Sequence, residues 1–318
     1  MTHTIWTTSD IPSQAGRRVL ITGANSGIGF HTAMEVARRG ADVILPARSE
    51  AKAADAVRRI RAAVPEAKLT AAILDLASLA SIRAFAAFYA ARFPGPSLDL
   101  HINNAGVMAL PHRETTADGF ERQFATNYLG PFALTALLFA HLKPQPGTRI
   151  VTVASSAANL GRIDFGNLQS ERLYKPMWGA YAQSKLADLI FALELQRRLT
   201  EAGSPIRSTA AHPGYAVTNL QAHAQADRSL SGRVLNGLSV LLTPYFSQGA
   251  AQGALPTLFA ATAPDAAPGG YYGPDGFQEL KGPPAPAKVA PAAQDRTLAQ
   301  RLWSETERLT GVTFGSFS

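Results

Sequence analysis

Cysteine is absent from all 318 residues, which excludes structural disulfides, thiolate zinc sites, iron–sulfur ligation and a cysteine nucleophile together. Charge is sparse as well. Only 17% of residues are charged against 46% hydrophobic, too apolar a balance for a disordered chain and enough to bury a sizeable core. Long apolar runs are missing too. The most apolar late stretch, Val234 to Phe246, is broken by Asn236, Gly237 and Pro244, well short of the roughly 18–20 unbroken residues of a bilayer span. No transmembrane segment is expected, although that stretch could touch a membrane surface. Met1 to Ala15 lacks the apolar core of a secretory signal, so the expected location is cytoplasmic.

Metal-ligand spacing is also lacking. The seven histidines are dispersed, with no pair four apart and no HExxH, so no metal centre is expected. The net charge of +7 invites a nucleic-acid reading, but the basic pairs Arg17-Arg18, Arg38-Arg39, Arg58-Arg59 and Arg197-Arg198 stand apart without aromatic interleaving. They read as solvated helix faces, and no nucleic-acid partner is expected.

What is present is an alternation. Arg17 to Thr22 reads as a strand, followed by a glycine-rich turn and a helix from about Ile28 to Arg39. A second strand spans Asp42 to Leu45, and Ser49 can cap a helix running to about Val64. Leu69 to Leu74 is a third strand. Ser78 opens a helix with Ile82, Phe85 and Tyr89 on one face. Leu98 to Ile102 is a fourth strand, and a continuous helix is expected over Glu121 to Leu142. A strand at Arg149 to Ala154, a long helix at about Gly179 to Ala202 and a strand at Ile206 to Ala211 follow. Strands separated by helices imply right-handed crossovers, hence an α/β doubly wound parallel sheet of Rossmann type, helices on both faces, in a single domain over 1–318. Its core is placed at about 17–219, with 220–318 as a substrate-side lid and C-terminal extension. In that extension Ser247 to Ala260 reads as a helix and Gly269 to Gly273 as a final edge strand. The proline-rich segment Gly282 to Pro291 reads as a surface strap, and Asp295 to Thr310 as a last helix stopped by Gly311.

Chemistry gathers at the strand ends. Gly23, Gly27 and Gly29, with Asn25, Ser26 and Ile28 between them, fill the turn after the first strand. There glycine permits a tight turn and lets backbone N–H groups approach a pyrophosphate at a helix N-terminus. The plainer reading is turn geometry alone. At the end of the second strand an acid usually binds the adenosine ribose, whereas this chain has Ala47 and then Arg48. A guanidinium there suits a 2′-phosphate, so NADP(H) is preferred over NAD(H). Tyr181 and Lys185 are four apart on one helix face. A phenol titrates near 10 in isolation, and a neighbouring ammonium favours its anion, so the pair suits proton exchange. Asn103-Asn104-Ala105-Gly106, Asn127, Ser155-Ser156 and Pro213-Gly214 fall at or face the same carboxyl edge, where open α/β sheets bind ligands.

The TGxxxGxG turn, NNAG, a helical Asn, Ser, YxxxK and PG, in this order over Arg17 to Asn219, resemble the short-chain dehydrogenase/reductase family. The resemblance implies that Tyr181 is the general acid/base and that Lys185 assists it and holds the nicotinamide ribose. It implies that Ser156 binds the substrate carbonyl, and that Asn127 bends its helix and holds a water against Lys185. Asp75 and Leu76 would meet the adenine, Asn104, Ala105 and Gly106 would line the cofactor, and Pro213, Gly214 and Thr218 would meet the nicotinamide end. Asp75 could equally be a helix cap and Pro213-Gly214 mere punctuation.

Ser156 and Tyr181 lie 25 residues apart, about twice the family's usual separation, so Ala157 to Trp178 is an insertion beside the substrate. This insertion, the C-terminal extension and Ser184-Lys185-Leu186-Ala187 resemble the retinol dehydrogenase and protochlorophyllide reductase branch. The missing cysteine argues against photochemical reduction. Phe165, Leu168, Met177 and Trp178, with Leu238, Leu241 and Tyr245, are candidates for an apolar pocket or ordinary core cover. His212, beside Pro213, is assigned to packing. The expected activity is hydride transfer between nicotinamide and a small lipophilic aldehyde, ketone or alcohol. The alternative is a dinucleotide-binding sensor or scaffold without turnover. The resemblance also implies a homodimer through the helices about Asn127 and Tyr181, unless the C-terminal segment covers that face.

Overall fold

The computed structural model describes residues 5–215 and 248–317. Eight strands form one sheet in the order β3-β2-β1-β4-β5-β6-β7-β8. β1 (Arg18–Ile21), β2 (Asp42–Ala47), β3 (Lys68–Ile73), β4 (Leu100–Asn103), β5 (Arg149–Val153), β6 (Arg207–Ala211) and β7 (Tyr271–Pro274) run parallel. Only β8 (Pro284–Pro286) is antiparallel. The central strands are apolar on both faces because helices cover both: Val19, Leu20 and Ile21 are fully buried, as are Ile150 and Val151. On one side lie α1 (Gly27–Arg38) and α2 (Glu50–Ala63), joined by α7 (Ala250–Gly253) and α8 (Leu255–Thr262). On the other lie α3 (Leu79–Arg92), α5 (Gly130–Leu138), α6 (Ala182–Glu201) and α9 (Arg296–Thr310).

The continuous helix expected over Glu121 to Leu142 is instead four pieces. A single turn, α4 (Arg122–Phe124), leads into π turns at Ala125–Leu129, then α5, then a 3₁₀ turn at Phe139–His141. Pro131 explains the widening, since it carries no N–H to reach the Asn127 carbonyl in an α-helical bond. The expected helix from Gly179 likewise starts with π turns, Pro176–Tyr181, before becoming α-helical at Ala182. Both departures fall on residues singled out for chemistry, Asn127 and Tyr181.

Two further expectations need correction. β7 is not the edge strand: the proline-rich strap lies outside it, pairing Pro284 with Pro274 and Pro286 with Tyr272. An edge strand has one side free of ladder bonds, which is where prolines fit a sheet. The helix expected from Ser247 to Ala260 begins at Ala250, breaks at Ala254 and continues with Pro256 in its first turn; Ser247 itself lies outside the described residues, as do Thr218, Leu238, Leu241 and Tyr245.

The C-terminal helix behaves as its pattern suggests. Asp295 caps α9 by accepting from the Leu298 N–H at 3.0 Å, and Gly311 ends it in a left-handed conformation. Trp303 then seats against Phe132 at 5.0 Å and Phe314 at 4.8 Å between ring centroids, with the Arg198 guanidinium 4.1 Å from its own ring. Phe317 adds a contact to Phe139 at 5.2 Å. These rings cover the outer side of α5 and α6. Trp303→Ala should therefore cost about 3–5 kcal/mol, as expected for emptying a buried indole site, and urea unfolding followed by circular dichroism measures it.

Candidate active site

The order of strands reverses between β1 and β4, leaving a crevice at their carboxyl ends. The two ends are tied by specific bonds. The Thr22 N–H donates to the Ile102 carbonyl at 3.1 Å, and the Thr22 hydroxyl accepts from the N–H groups of Asn104 and Ala105 at 3.0 and 3.1 Å. The Asn104 amide donates back to the Thr22 carbonyl at 2.8 Å. Under this knot sits the glycine turn. Gly23 has φ of +70°, the left-handed region, and a Cβ on it would lie 2.8 Å from the Ala105 Cα. A Cβ on Gly29 would fall against the Asn104 amide and 2.6 Å from the Gly23 carbonyl oxygen. The turn is thus packed backbone to backbone, with the N-terminus of α1 facing the crevice.

The crevice is a cleft of about 560 Å³, within the range of small-ligand sites. Its walls bring together Gly23, Asn25, Ser26, Gly27, Ile28, Gly29, Arg48, Asp75, Leu76, Asn104, Ala105, Gly106, Tyr181, Lys185 and Pro213, all selected from sequence. A glycine-lined floor at a helix N-terminus, with cations at one end and a Tyr–Lys pair at the other, fits a nicotinamide dinucleotide.

At the cationic end sequence reasoning was incomplete. Lys52 and Arg59 of α2 join Arg48 in the wall. Arg59 lies 4.1 Å over the Phe30 ring and donates to the Asn25 carbonyl at 3.3 Å, bridging α2 to the glycine turn. The signal was available: Ser49 caps α2, and Lys52 and Arg59 lie two turns apart on one face of it. Asp75 is a turn residue as well as a wall residue, its carboxylate accepting from the Ala77 N–H at 3.0 Å.

At the other end Tyr181 closes the π turns and Lys185 follows one turn into α6. Both are buried. The Lys185 ammonium donates to the Val153 carbonyl and to Asp188 Oδ2, each at 2.8 Å. Burial opposes its charge, but Asp188 and Tyr181 outweigh it and hold its pKa above the ordinary lysine value. Asn127 lies behind the wall. Its Oδ1 accepts from the Val107 N–H at 2.7 Å, and its Nδ2 donates to the Val107 carbonyl at 2.9 Å and the Ser184 hydroxyl at 2.8 Å. The side chain therefore braces the loop after β4 against α6. Ser156 opens a 3₁₀ turn just after β5, and it is the Ser155 hydroxyl that caps this turn by accepting from Ala157.

His212 does more than pack. Its ring lies fully buried, its Nδ1 accepts from the Gly214 N–H at 3.2 Å, and Nε2–H donates to Glu279 at 2.9 Å. This one neutral tautomer ties Pro213-Gly214 to the turn at 277–279, and the histidine bond is the first cause holding the Glu279 carboxyl below its usual range. The insertion is braced twice. Gln183 accepts from the Asp164 N–H at 3.0 Å and donates to the Leu168 carbonyl at 3.1 Å, while Gln123 donates to the Tyr174 hydroxyl and the Pro176 carbonyl. Leu168 and Phe165 belong to the core packing, whereas Trp178 is 62% exposed.

The sequence profile described as short chain dehydrogenase matches residues 17–229. The chain belongs to the short-chain dehydrogenase family. It is 42% identical to human (Homo sapiens) retinol dehydrogenase 13 over 306 residues, covering 95% of this chain and 87% of that one. It is 40% identical to the Mus musculus polyprenol dehydrogenase over 310 residues, covering 96% and 87%. Among solved structures, an uncharacterized protein from Mycobacterium Paratuberculosis superposes with a TM-score of 0.79 at 40% identity, covering 98% of this chain and all of that one. A Burkholderia cenocepacia short chain dehydrogenase in complex with NADP shares the fold, with a TM-score of 0.58 at 24% identity over 80% of this chain and 93% of that one.

As a member of this family the protein is a nicotinamide-dependent oxidoreductase acting on small alcohol or carbonyl substrates. Among the described residues no helix is long and apolar enough to cross a membrane. The backbone-tight turn is the feature of the cleft least able to absorb change. Gly29→Ala should weaken NADPH binding by roughly tenfold or more, because the Gly23 carbonyl must move to admit the methyl group; calorimetric titration measures it.

Proposed function

We propose that the chain is an NADP(H)-preferring oxidoreductase for lipophilic alcohols, aldehydes and ketones, with Tyr181 as general acid/base. The observation that carries this reading is a single cleft with Tyr181 and Lys185 in one wall and Arg48, Lys52 and Arg59 at the other end. The relatives support the substrate class, being named for retinol and polyprenol, both isoprenoid alcohols. The aromatic cover over α5 and α6 favours a monomer over a homodimer built on those helices.

The glycine turn and α1 would hold the pyrophosphate, Asp75 and Leu76 the adenine, Asn104 to Gly106 the middle of the dinucleotide, and Pro213 and Gly214 its nicotinamide end. Thr218 is assigned there too. The nicotinamide, when bound, supplies or accepts the hydride. During reduction the Tyr181 hydroxyl gives its proton to the substrate oxygen, and during oxidation it takes that proton back. Ser156 hydrogen-bonds the same oxygen. Lys185 lies one turn from Tyr181, so its ammonium favours negative charge on the phenol oxygen and presents a donor to the ribose. Asn127 keeps the loop after β4 against α6 and so fixes the distance between them; a water held near Lys185 would carry the proton onward.

Two outcomes follow. Tyr181→Phe should lower kcat by roughly 10²–10⁴-fold, measured by NADPH depletion with retinaldehyde, steroid ketones, aromatic aldehydes and quinones, while NADPH affinity stays as in the wild type. Arg48→Ala should weaken NADPH by about ten- to hundredfold and leave NADH almost unchanged, the size of one charge-assisted hydrogen bond. Calorimetric titration with each cofactor separates them, and a wild type that prefers NADH would overturn the NADP reading.

A further inference from the structure

The carboxylate of Asp188 is 2% exposed and lies 2.8 Å from the Lys185 ammonium. A buried ion pair is a poor route to stability, since an apolar residue of similar size serves as well or better once desolvation is counted. Here the cost is larger than usual, because the second oxygen, Oδ1, is buried without a hydrogen-bond partner among the described residues. The placement is specific: of the three ammonium protons, one goes to the Val153 carbonyl and one to Asp188. That leaves one for the cleft, which Lys185 lines.

We propose that Asp188 is a positioning residue that aims the Lys185 ammonium into the cleft and cancels part of its field at Tyr181. The inference rests on the reading of Tyr181 and Lys185 given above. Paired with Asp188, the ammonium acts on the phenol oxygen with only part of its charge. Without the carboxylate, a full positive charge faces Tyr181. The Val153 carbonyl still accepts from the ammonium.

Few other charges compete. Tyr128, from the π turns before α5, is the titratable group facing Asp188 from a neighbouring element; it is buried, bonded to Thr306 of α9 at 2.7 Å, and pushed up by burial beyond the usual phenol range. Tyr271 of β7 is the neighbour of Tyr181, raised first by burial and then by Glu279 and Tyr181. Burial likewise pushes Asp188 up to about 7 against the pull of Lys185, so the counter-charge weakens as the solution becomes mildly acidic.

The test reads Tyr181 ionisation directly and needs no substrate. Near-ultraviolet tyrosinate absorption is titrated against pH in the NADP⁺ complex. The curve of the Tyr181→Phe variant is subtracted, in the wild-type and in the Asp188→Asn background. Asp188 and Tyr181 are seven residues apart along the helix, about 10 Å, so removing the charge should move the midpoint to lower pH by roughly one unit. Asp188→Ser, smaller and also neutral, should give the same displacement and serves if the asparagine folds poorly. An unchanged midpoint, or one displaced to higher pH, overturns the proposal. Activity retained in Tyr181→Phe would overturn the acid/base reading instead, and the two failures are separately visible.

Discussion

The Thr22 hydroxyl accepts two backbone N–H groups from Asn104 and Ala105 while the Asn104 amide donates to the Thr22 carbonyl, and these bonds hold the carboxyl ends of β1 and β4 in register. The strand order reverses at that point, so helices diverge to opposite faces and a crevice opens between them. Every other part of the site is measured from this junction. The glycine turn packs on Asn104, the loop after β4 reaches Asn127, and Asn127 reaches Ser184 on α6. Four segments far apart in sequence are joined by side-chain amides and hydroxyls, each donating and accepting in a fixed direction.

Electrostatics divides the cleft into two halves. At the adenine end three cations line the wall, two of them on α2, and Arg59 is held by both a ring face and a backbone carbonyl. Beside Tyr181 the buried wall cation Lys185 carries its own buried counter-ion, and Arg122, also in the wall, is paired with Glu114. On the proposed reading a 2′-phosphate would meet Arg48, Lys52 and an Arg59 already paired with Asp55 at 3.5 Å, while proton exchange would take place beside an ammonium paired with a buried carboxylate.

Much of this was legible because its signals are local. The turn glycines, the Tyr181–Lys185 spacing and the alternation of strands and helices each lie within a few residues of their partners, and backbone geometry alone relates them. Lys52 and Arg59 were missed because the face of α2 that meets the cleft is set by packing of Ala53, Ala56 and Ile60, not by the charges. Asp188 was missed because an acid three after a lysine is commonplace on exposed helices; only burial distinguishes it. The role of His212 depends on Glu279, 67 residues away, beyond any local pattern, and the proline-rich edge strand was missed because prolines, which donate no ladder bond, read as an irregular strap.

The π turns at Ala125–Leu129 and Pro176–Tyr181 carry a consequence for how such a chain can vary. A π turn holds an extra residue relative to an α turn, so its register is a matter of residue count as much as residue type. Deleting one residue between Ala125 and Leu129 would restore α turns there and leave the flanking segments in nearly their present orientation, because the π turn already absorbs that residue. The packing of Phe132 on Phe191 and Trp303 would survive, and the loss would fall on the widened turn that carries Asn127 to Val107 and Ser184. The extra residue in this segment thus serves the site and not the core.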